Sequence, residues 1–204
     1  MTLDVRIHGR GGQGVVTAAE LLSRAAFDEG LHAQALPSFG SERTGAPVVS
    51  YCRIDAAPIR AHDPIDAPDV VVVQDPTLLR GGGVLTGLAE HGLVVVNSAR
   101  TPAELADAGL RLGDRQRAVC LPASDLARDR LGRPLPNTAL IGAVVALTGV
   151  VRRPALYAAI RERFASLGDH VLSANLRLAS DACHLVTEDV TDVTDITEKE
   201  ASHA

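Results

Sequence analysis

The sequence predicts an α/β fold: an open, largely parallel sheet with helices on both faces, followed by a helical C-terminal part. Two valine-rich runs, DVVVVQ at 69–74 and GLVVVNS at 92–98, have the unbroken apolar character of parallel strands that are buried on both faces. Predicted strands and helices alternate as far as about residue 123, which favours parallel strands joined by crossovers. With 204 residues and 46% apolar composition, the chain is large enough for one buried core.

The first elements along the chain are a strand, a helix and two further strands. LDVRIH at 3–8 alternates and then meets glycine, which predicts the first strand. Residues 15–28 place their apolar side chains on one face of a helix, and Gly30 follows as a stop. HAQAL at 32–36 and PVVSYCRI at 47–54 predict the second and third strands.

The later elements are less uniform. DPTLLRGGG predicts a short helix with Asp75 as its cap and Pro76 at its first position. RAVCLPA at 117–123 predicts a weaker strand. Asn137 is placed to cap TALIGAVVALT, which is apolar on every side. Such a helix must be enclosed, either by this chain's own sheet or by a partner subunit.

Residues 1–186 are predicted to form a single α/β domain, which ends in amphipathic helices after Pro154. Residues 187–204 are predicted to be an acidic tail, because they contain six acids against Lys199 alone. The tail repeats a Thr-acid-aliphatic triplet, and this low complexity predicts disorder. Without the tail, the chain has 19 acidic and 19 basic residues. It therefore has no basic stripe that would indicate a nucleic-acid partner.

The composition argues against several kinds of chemistry. Lys199 is the only lysine, so the predicted domain offers no P-loop lysine and no Schiff-base amine. Cys52, Cys120 and Cys183 lack the spacing of metal or redox motifs, and we interpret them as small buried hydrophobes. Any metal or redox centre is expected on another chain. No apolar run of about 18 residues predicts a membrane span, and no secretory signal is recognisable, so we expect a cytoplasmic protein.

A glycine-rich stretch, HGRGGQG at 8–14, joins the first predicted strand to the first helix. Gly9, Gly11 and Gly14 match G-x-G-x-x-G, in which the backbone approaches a diphosphate at a helix N-terminus. A dinucleotide site also needs an acid about 20 residues further on, and HAQALPSFG at 32–40 has none. Three interpretations remain open at this point: classical NAD binding, a turn needed only for strand–helix packing, and a site for another phosphate-bearing ligand.

A second loop, PSFGSERTGAPVV at 37–49, follows the second predicted strand. It places Arg43 between Gly40 and Gly45, at the carboxyl edge where open α/β sheets bind ligands. An arginine there can clamp a phosphate or a carboxylate. A solvated turn is the alternative.

Four stretches, taken together, resemble the gamma subunit of pyruvate:ferredoxin oxidoreductase, within the 2-oxoacid:acceptor oxidoreductase family. They are HGRGGQGVVTAAELLSRAA, PSFGSERTGAPV, DVVVVQDPTLL and LGRPLPNTALIGA. The resemblance runs from about residue 4 to residue 170 in the right order and spacing. It implies a Rossmann-like domain beside the path of coenzyme A.

The resemblance also implies a function and a set of partners. Such complexes decarboxylate a 2-oxoacid on thiamine diphosphate, pass electrons through [4Fe-4S] clusters to ferredoxin, and transfer the acyl group to coenzyme A. Thiamine diphosphate and Mg²⁺ are implied in the alpha and beta subunits, and the delta subunit is a small ferredoxin-like protein. Pyruvate is the expected substrate, although 2-oxoglutarate, 2-oxoisovalerate, indolepyruvate and phenylglyoxylate serve related members.

The same resemblance implies roles for individual residues. It assigns Arg43 as a charged contact and Asn137 as a helix-capping or interface residue. A phosphate-facing loop is assigned to Gly9, Gly11, Gly12, Gln13 and Gly14. No catalytic or metal-ligating residue is expected in this chain.

Two alternatives of other classes stay open: a free-standing nucleotide-binding module and an NAD-dependent dehydrogenase. A module is expected to be a well-behaved monomer. A subunit is expected to behave poorly alone, because the apolar helix from Thr138 to Thr148 would lack its cover.

Overall fold

The computed structural model describes residues 2–37 and 45–201, apart from the side chains of 188–201. The strands in this part of the chain are β1 (Leu3–Arg10), β2 (His32–Pro37), β3 (Pro47–Asp55), β4 (Val70–Val73), β5 (Leu93–Asn97) and β6 (Arg117–Leu121). They form one sheet in the order β2-β3-β1-β4-β5-β6. Strands β1, β4, β5 and β6 pair in parallel. The α/β fold and the strand positions predicted from the sequence are confirmed.

Strand β3 makes the sheet mixed. It pairs antiparallel with both β1 and β2, so β3 alone runs against the other five described strands. The reason is the length of the β2–β3 connection, since only residues 38–46 separate the two strands. A parallel return would need a crossover of a dozen or more residues.

Helices cover one face of the sheet. They are α1 (Val15–Asp28), α2 (Ala123–Leu131), α3 (Asn137–Thr148), α4 (Arg153–Phe164) and α5 (Asp169–Ala201). The other face packs against the 3₁₀ helices Pro76–Gly81 and Ala103–Ala108 and the loops around them. The valines of β4 alternate between the two cores, as a strand buried on both sides requires.

Helix α3 is enclosed by its own chain. It packs against α5, α1 and β5, and its residues from Asn137 to Val145 are all buried. The question left open by the sequence is therefore answered in favour of burial within the chain. The expectation that this helix makes the isolated chain poorly behaved loses its structural basis.

Helix α5 is the last described element and extends from Asp169 to Ala201. The segment 169–201 contains neither glycine nor proline, the residues that most strongly end a helix. The division of the chain at residue 186 and the disorder of residues 187–204 stay predictions. Among the described helices, none combines the length and apolar character needed to cross a membrane.

Candidate functional site

The chain diverges at the carboxyl ends of β1 and β4. It leaves β1 toward α1 on one face of the sheet and leaves β4 toward the 3₁₀ helix Pro76–Gly81 on the other. Open α/β sheets bind their ligands in a crevice at such a point of divergence. We call the region between the glycine loop, residues 9–14, and residues 74–77 the crevice, and these two segments its lips.

The glycine loop leads directly into α1. The Gly11 N–H donates to the Ala46 carbonyl at 2.9 Å, and the Gly45 N–H donates to the Gly11 carbonyl at 3.1 Å. Gly14 occupies the N-cap position of α1 with φ 73°, and no side chain caps this helix end within the described part of the chain. The N–H groups of the first turn, at the positive end of the helix dipole, therefore face the loop without a side-chain acceptor.

Different physical constraints favour glycine at different positions of the loop. A Cβ on Gly9 would lie 2.6 Å from Val15 Cγ2, and one on Gly14 would lie 2.7 Å from Asn137 Nδ2. Packing alone requires glycine at these two positions. Gly12 has φ +94°, is exposed and has open space where its Cβ would be. The positive φ of Gly12, which residues other than glycine rarely adopt, therefore explains this glycine, and no neighbour fills the space beside it.

Gln13 closes the loop on itself. Its Oε1 accepts a hydrogen bond from the Arg10 N–H at 2.8 Å, and its own N–H donates to the Arg10 carbonyl at 3.0 Å. Gln13 therefore fixes the shape of the turn in this conformation.

Arg10 joins the two lips of the crevice, and the sequence analysis missed it. Its Nε donates to Asp75 Oδ2 at 2.6 Å, and its other nitrogens donate to Thr77 Oγ1 at 2.9 Å and to the Gly45 carbonyl at 3.0 Å. Burial raises the pKa of Asp75, but hydrogen bonds from Thr77 and Arg10 outweigh this, so the pKa is lowered overall. The signal available was an arginine inside the glycine motif.

Three buried carboxamides, Gln74, Asn97 and Asn137, lie near the glycine loop and the carboxyl ends of β4 and β5. Asn97 Nδ2 donates to the Gln74 backbone carbonyl at 2.8 Å and to Ser124 Oγ at 2.7 Å. The Gln74 side chain is fully buried, and neither of its polar atoms has a hydrogen-bond partner in the part of the chain that the structure describes. The sequence signal for Gln74 and Asn97 is a polar residue directly after each valine run.

Asn137 does not cap α3. It lies inside the first turn, after Pro136, and no side-chain cap bond is present at this described helix end. Its side chain instead approaches Gly14 across the start of α1. The predicted capping role is wrong, because the helix begins one residue earlier than a capping asparagine requires.

The comparisons with known proteins identify the family. The model described as pyruvate ferredoxin/flavodoxin oxidoreductase matches residues 4–185. The chain belongs to this family. The resemblance inferred from four short stretches of sequence is thereby confirmed.

Curated relatives of this oxidoreductase family are named as subunits. The chain is 45% identical over 163 residues to the pyruvate/ketoisovalerate oxidoreductases common subunit gamma of Pyrococcus abyssi, covering 79% of this chain and 86% of that protein. It is 44% identical over 158 residues to the pyruvate synthase subunit PorC of Methanosarcina barkeri, covering 78% and 84%.

Solved structures of the family agree with the fold. The pyruvate oxidoreductase subunit PORC of Thermotoga maritima superposes with a TM-score of 0.77 at 33% identity, covering 90% of this chain and 96% of that one. The 2-oxoglutarate:ferredoxin oxidoreductase of Magnetococcus marinus, solved with 2-oxoglutarate, coenzyme A and succinyl-CoA, superposes with a TM-score of 0.74 at 18% identity. The superposition covers 92% of this chain and 31% of that chain, and at this identity it supports the fold alone.

The cysteines of this oxidoreductase-family chain are not activated. Cys52 and Cys183 are buried as predicted, and Cys120 is partly exposed. Burial raises the pKa of Cys120 to about 11, so its thiol stays protonated at neutral pH. Within the described ranges, no three His, Cys, Asp or Glu residues are grouped closely enough to hold a metal ion.

Five of the six predicted site residues lie in the described part of the chain. Gly9, Gly11, Gly12, Gln13 and Gly14 form one continuous lip of the crevice. Arg43 lies outside the described residues, so its role as a charged contact stays a prediction.

Proposed function

We propose that this chain is the gamma subunit of a hetero-oligomeric 2-oxoacid:ferredoxin oxidoreductase of the pyruvate synthase type. The complex converts a 2-oxoacid and coenzyme A to acyl-CoA and CO₂, and two electrons pass to ferredoxin. Alpha, beta and delta-type subunits would carry thiamine diphosphate, Mg²⁺ and the [4Fe-4S] clusters. The confirmed family and the subunit names of close relatives support this assignment. We place the complex in the cytoplasm.

Within that complex, we propose that the glycine loop faces coenzyme A. The observation that carries this proposal is Gly12, an exposed glycine with open space above it, beside a helix end that no side chain caps. The unfilled N–H groups and the helix dipole favour a diphosphate. Arg10 adds a positive charge within the same loop, and we propose Arg43 as a second charged contact.

The NAD-dependent alternative has a structural argument against it. In a classical dinucleotide fold, an acid at the carboxyl end of the second strand binds the ribose. Here β2 contains no acid, and β3 separates it from β1. No observation favours a free-standing nucleotide-binding module, since the curated relatives above are named as subunits.

Replacing Gly12 by valine tests the proposed role of the loop. In the assembled enzyme, Gly12→Val is expected to raise the KM for coenzyme A about tenfold with little change in kcat, because a side chain would block the phosphates. Gly12 is a cleaner choice than Gly11, whose backbone is hydrogen-bonded to residues 45 and 46.

Gly30→Val is the matched control. Gly30 is also exposed, has φ +80° and open space, but lies at the opposite end of α1. Both substitutions place valine at a positive φ, so their backbone strain is similar. An unchanged KM for coenzyme A in Gly12→Val would assign the loop to packing alone.

A further inference from the structure

Gln74 has two buried side-chain polar atoms without a partner among the described residues, whereas Gln34, Ser50 and Arg53 have one each. The backbone of Gln74 is well held, since its N–H donates to the His8 carbonyl at 2.8 Å and its carbonyl accepts from Asn97 Nδ2 at 2.8 Å. The carboxamide is 0% exposed. Asn97, Asn137 and Asn175 are also buried, and none of them has an unpartnered buried polar atom.

Stability of the chain does not account for this residue. A buried polar group without a hydrogen bond opposes folding, and an apolar side chain of the same shape would avoid that cost. Methionine has nearly the length and shape of glutamine. A glutamine at this position therefore points to a partner that binds in the crevice.

The position of the carboxamide indicates where such a partner lies. Gln74 Oε1 is 3.0 Å from the point where a Gly9 Cβ would be, and Gln13 Oε1 is 3.0 Å from the same point. The carboxamide of Gln74 therefore lies beside Gly9, at the β1 end of the glycine loop. The N-terminus of α1 begins at the other end of that loop.

We propose that Gln74 is a ligand-binding residue, whose Nε2 donates a hydrogen bond to the diphosphate of coenzyme A at the N-terminus of α1. This rests on the proposed function of the glycine loop. Because Gln13 Oε1 lies beside the carboxamide in the present conformation, binding includes a displacement of Gln13, with hinges at Gly12 and Gly14, while Gly9 stays paired with Val48 in the sheet. Both hinge glycines have positive φ values that other residues rarely adopt.

A neutral hydrogen-bond donor suits the charges around position 74. Asp75, the next residue along, already pairs with Arg10 at the mouth of the crevice. A buried lysine or arginine at position 74 would need its own counter-ion whenever the ligand is absent. A carboxamide avoids that requirement and still donates to a phosphate oxygen.

Gln74→Met in the assembled enzyme tests the proposal. We expect the KM for coenzyme A to rise about tenfold, because a hydrogen bond to a charged group is lost. The kcat and the KM for the 2-oxoacid should stay unchanged, and the Tm of the complex should stay the same or rise. ADP, which shares the diphosphate but lacks the pantetheine arm, should lose affinity as a competitive inhibitor by a similar factor. Gln74→Leu is a second variant with the same expectations.

Thr138→Val is the matched control. Thr138 is also 0% exposed and nearly isosteric with valine, but its hydroxyl donates to Asn175 Oδ1 at 2.8 Å. Removing this hydroxyl should lower the Tm and leave the KM for coenzyme A unchanged, since it leaves a buried acceptor unpaired.

Several results would overturn the proposal. One is an unchanged KM for coenzyme A in both Gln74 variants. Another is a fall in kcat, or a rise in the KM for the 2-oxoacid, that is as large as the rise in the KM for coenzyme A. A third is an unchanged inhibition constant for ADP. If Gly12→Val raises the KM for coenzyme A and the Gln74 variants do not, only the role of Gln74 fails. If none of these variants changes it, the proposed role of the loop fails as well.

Discussion

The side chains of β1 alternate between two environments, one on each face of the sheet. Leu3, Val5 and Ile7 point into the helical core. Polar side chains alternate with them on the other face, and three of these make different contacts. Asp4 accepts from Arg53 at 2.9 Å, and Arg10 pairs with Asp75. Arg6 is 7% exposed and donates to backbone carbonyls of the loops beneath β4, and its Nε donates to His8.

His8 provides a prediction for the dependence of stability on pH. Burial, together with the neighbouring Arg6 guanidinium, lowers its pKa from 6.5 to about 4. The ring nitrogen that accepts from Arg6 Nε, at 3.1 Å, must be unprotonated. Between pH 6.5 and 4, the unfolded chain binds a proton at His8 that the folded chain does not. Stability is therefore expected to fall as pH decreases through this window.

His8→Gln is expected to flatten this pH dependence, because glutamine offers Arg6 an acceptor that does not titrate. At about 1.4 kcal/mol per pKa unit, the contribution of His8 is at most about 3.5 kcal/mol. Thermal unfolding of wild type and variant at pH 4.5 and pH 7.5 measures it. The same difference between the two pH values in both proteins would contradict the prediction.

Among the elements, α3 and α5 make the closest helix contact. They pack side by side, with Cys183 Sγ donating to the Gly142 carbonyl at 3.1 Å. A Cβ on Gly142 would lie 2.6 Å from the Ala179 carbonyl oxygen. The absence of a side chain at Gly142 therefore sets the distance between the two helices.

Gly142→Ala tests this contact. Alanine normally stabilises a helix interior by about 1 kcal/mol relative to glycine. Here we expect a net loss of about 2 kcal/mol, since the two backbones must separate. Gly83→Ala is the control, because that position has open space and no positive φ. Urea unfolding should show the loss in Gly142→Ala alone, and equal stabilities would mean that the helices accommodate the methyl group.

The elements themselves were predicted closely from the sequence. Helix α1 has the predicted bounds 15–28, β3 differs from prediction by one residue at one end, and β5 differs by one residue at each end. These segments have strong apolar periodicity, and the apolar faces that it predicts are the faces buried in the structure. The reversal of β3 was not predicted, because strand direction depends on connection length and pairing partners and leaves no trace in periodicity.

For the whole molecule, the structure encloses its own core. The buried residues form one cluster under the helices and a second under the 3₁₀ helices, and α3 is covered within the chain. The isolated chain thus has the apolar burial needed to fold without partners. The isolated chain is not expected to be active, because the proposed chemistry takes place in other subunits.

We expect the chain expressed alone to unfold in one cooperative transition and to show no oxidation of 2-oxoacids. Native mass spectrometry of the complex purified through this chain is expected to show three further types of subunit, with iron–sulfur clusters among them. Aggregation of the isolated chain would contradict the first expectation. Turnover of a 2-oxoacid by the chain alone would contradict the proposed function.

The sequence by itself determined the fold class, the positions of the strands and helices, the glycine loop and the family. These depend on local periodicity, turn chemistry and motif spacing, all of which are written along the chain. Only the tertiary structure decided which residues meet at the crevice. Gln74 and Asn137 lie far from the glycine loop in sequence, and Arg10 meets Asp75 only because β1 and β4 pair. Contacts between distant segments depend on sheet order, which local patterns do not encode.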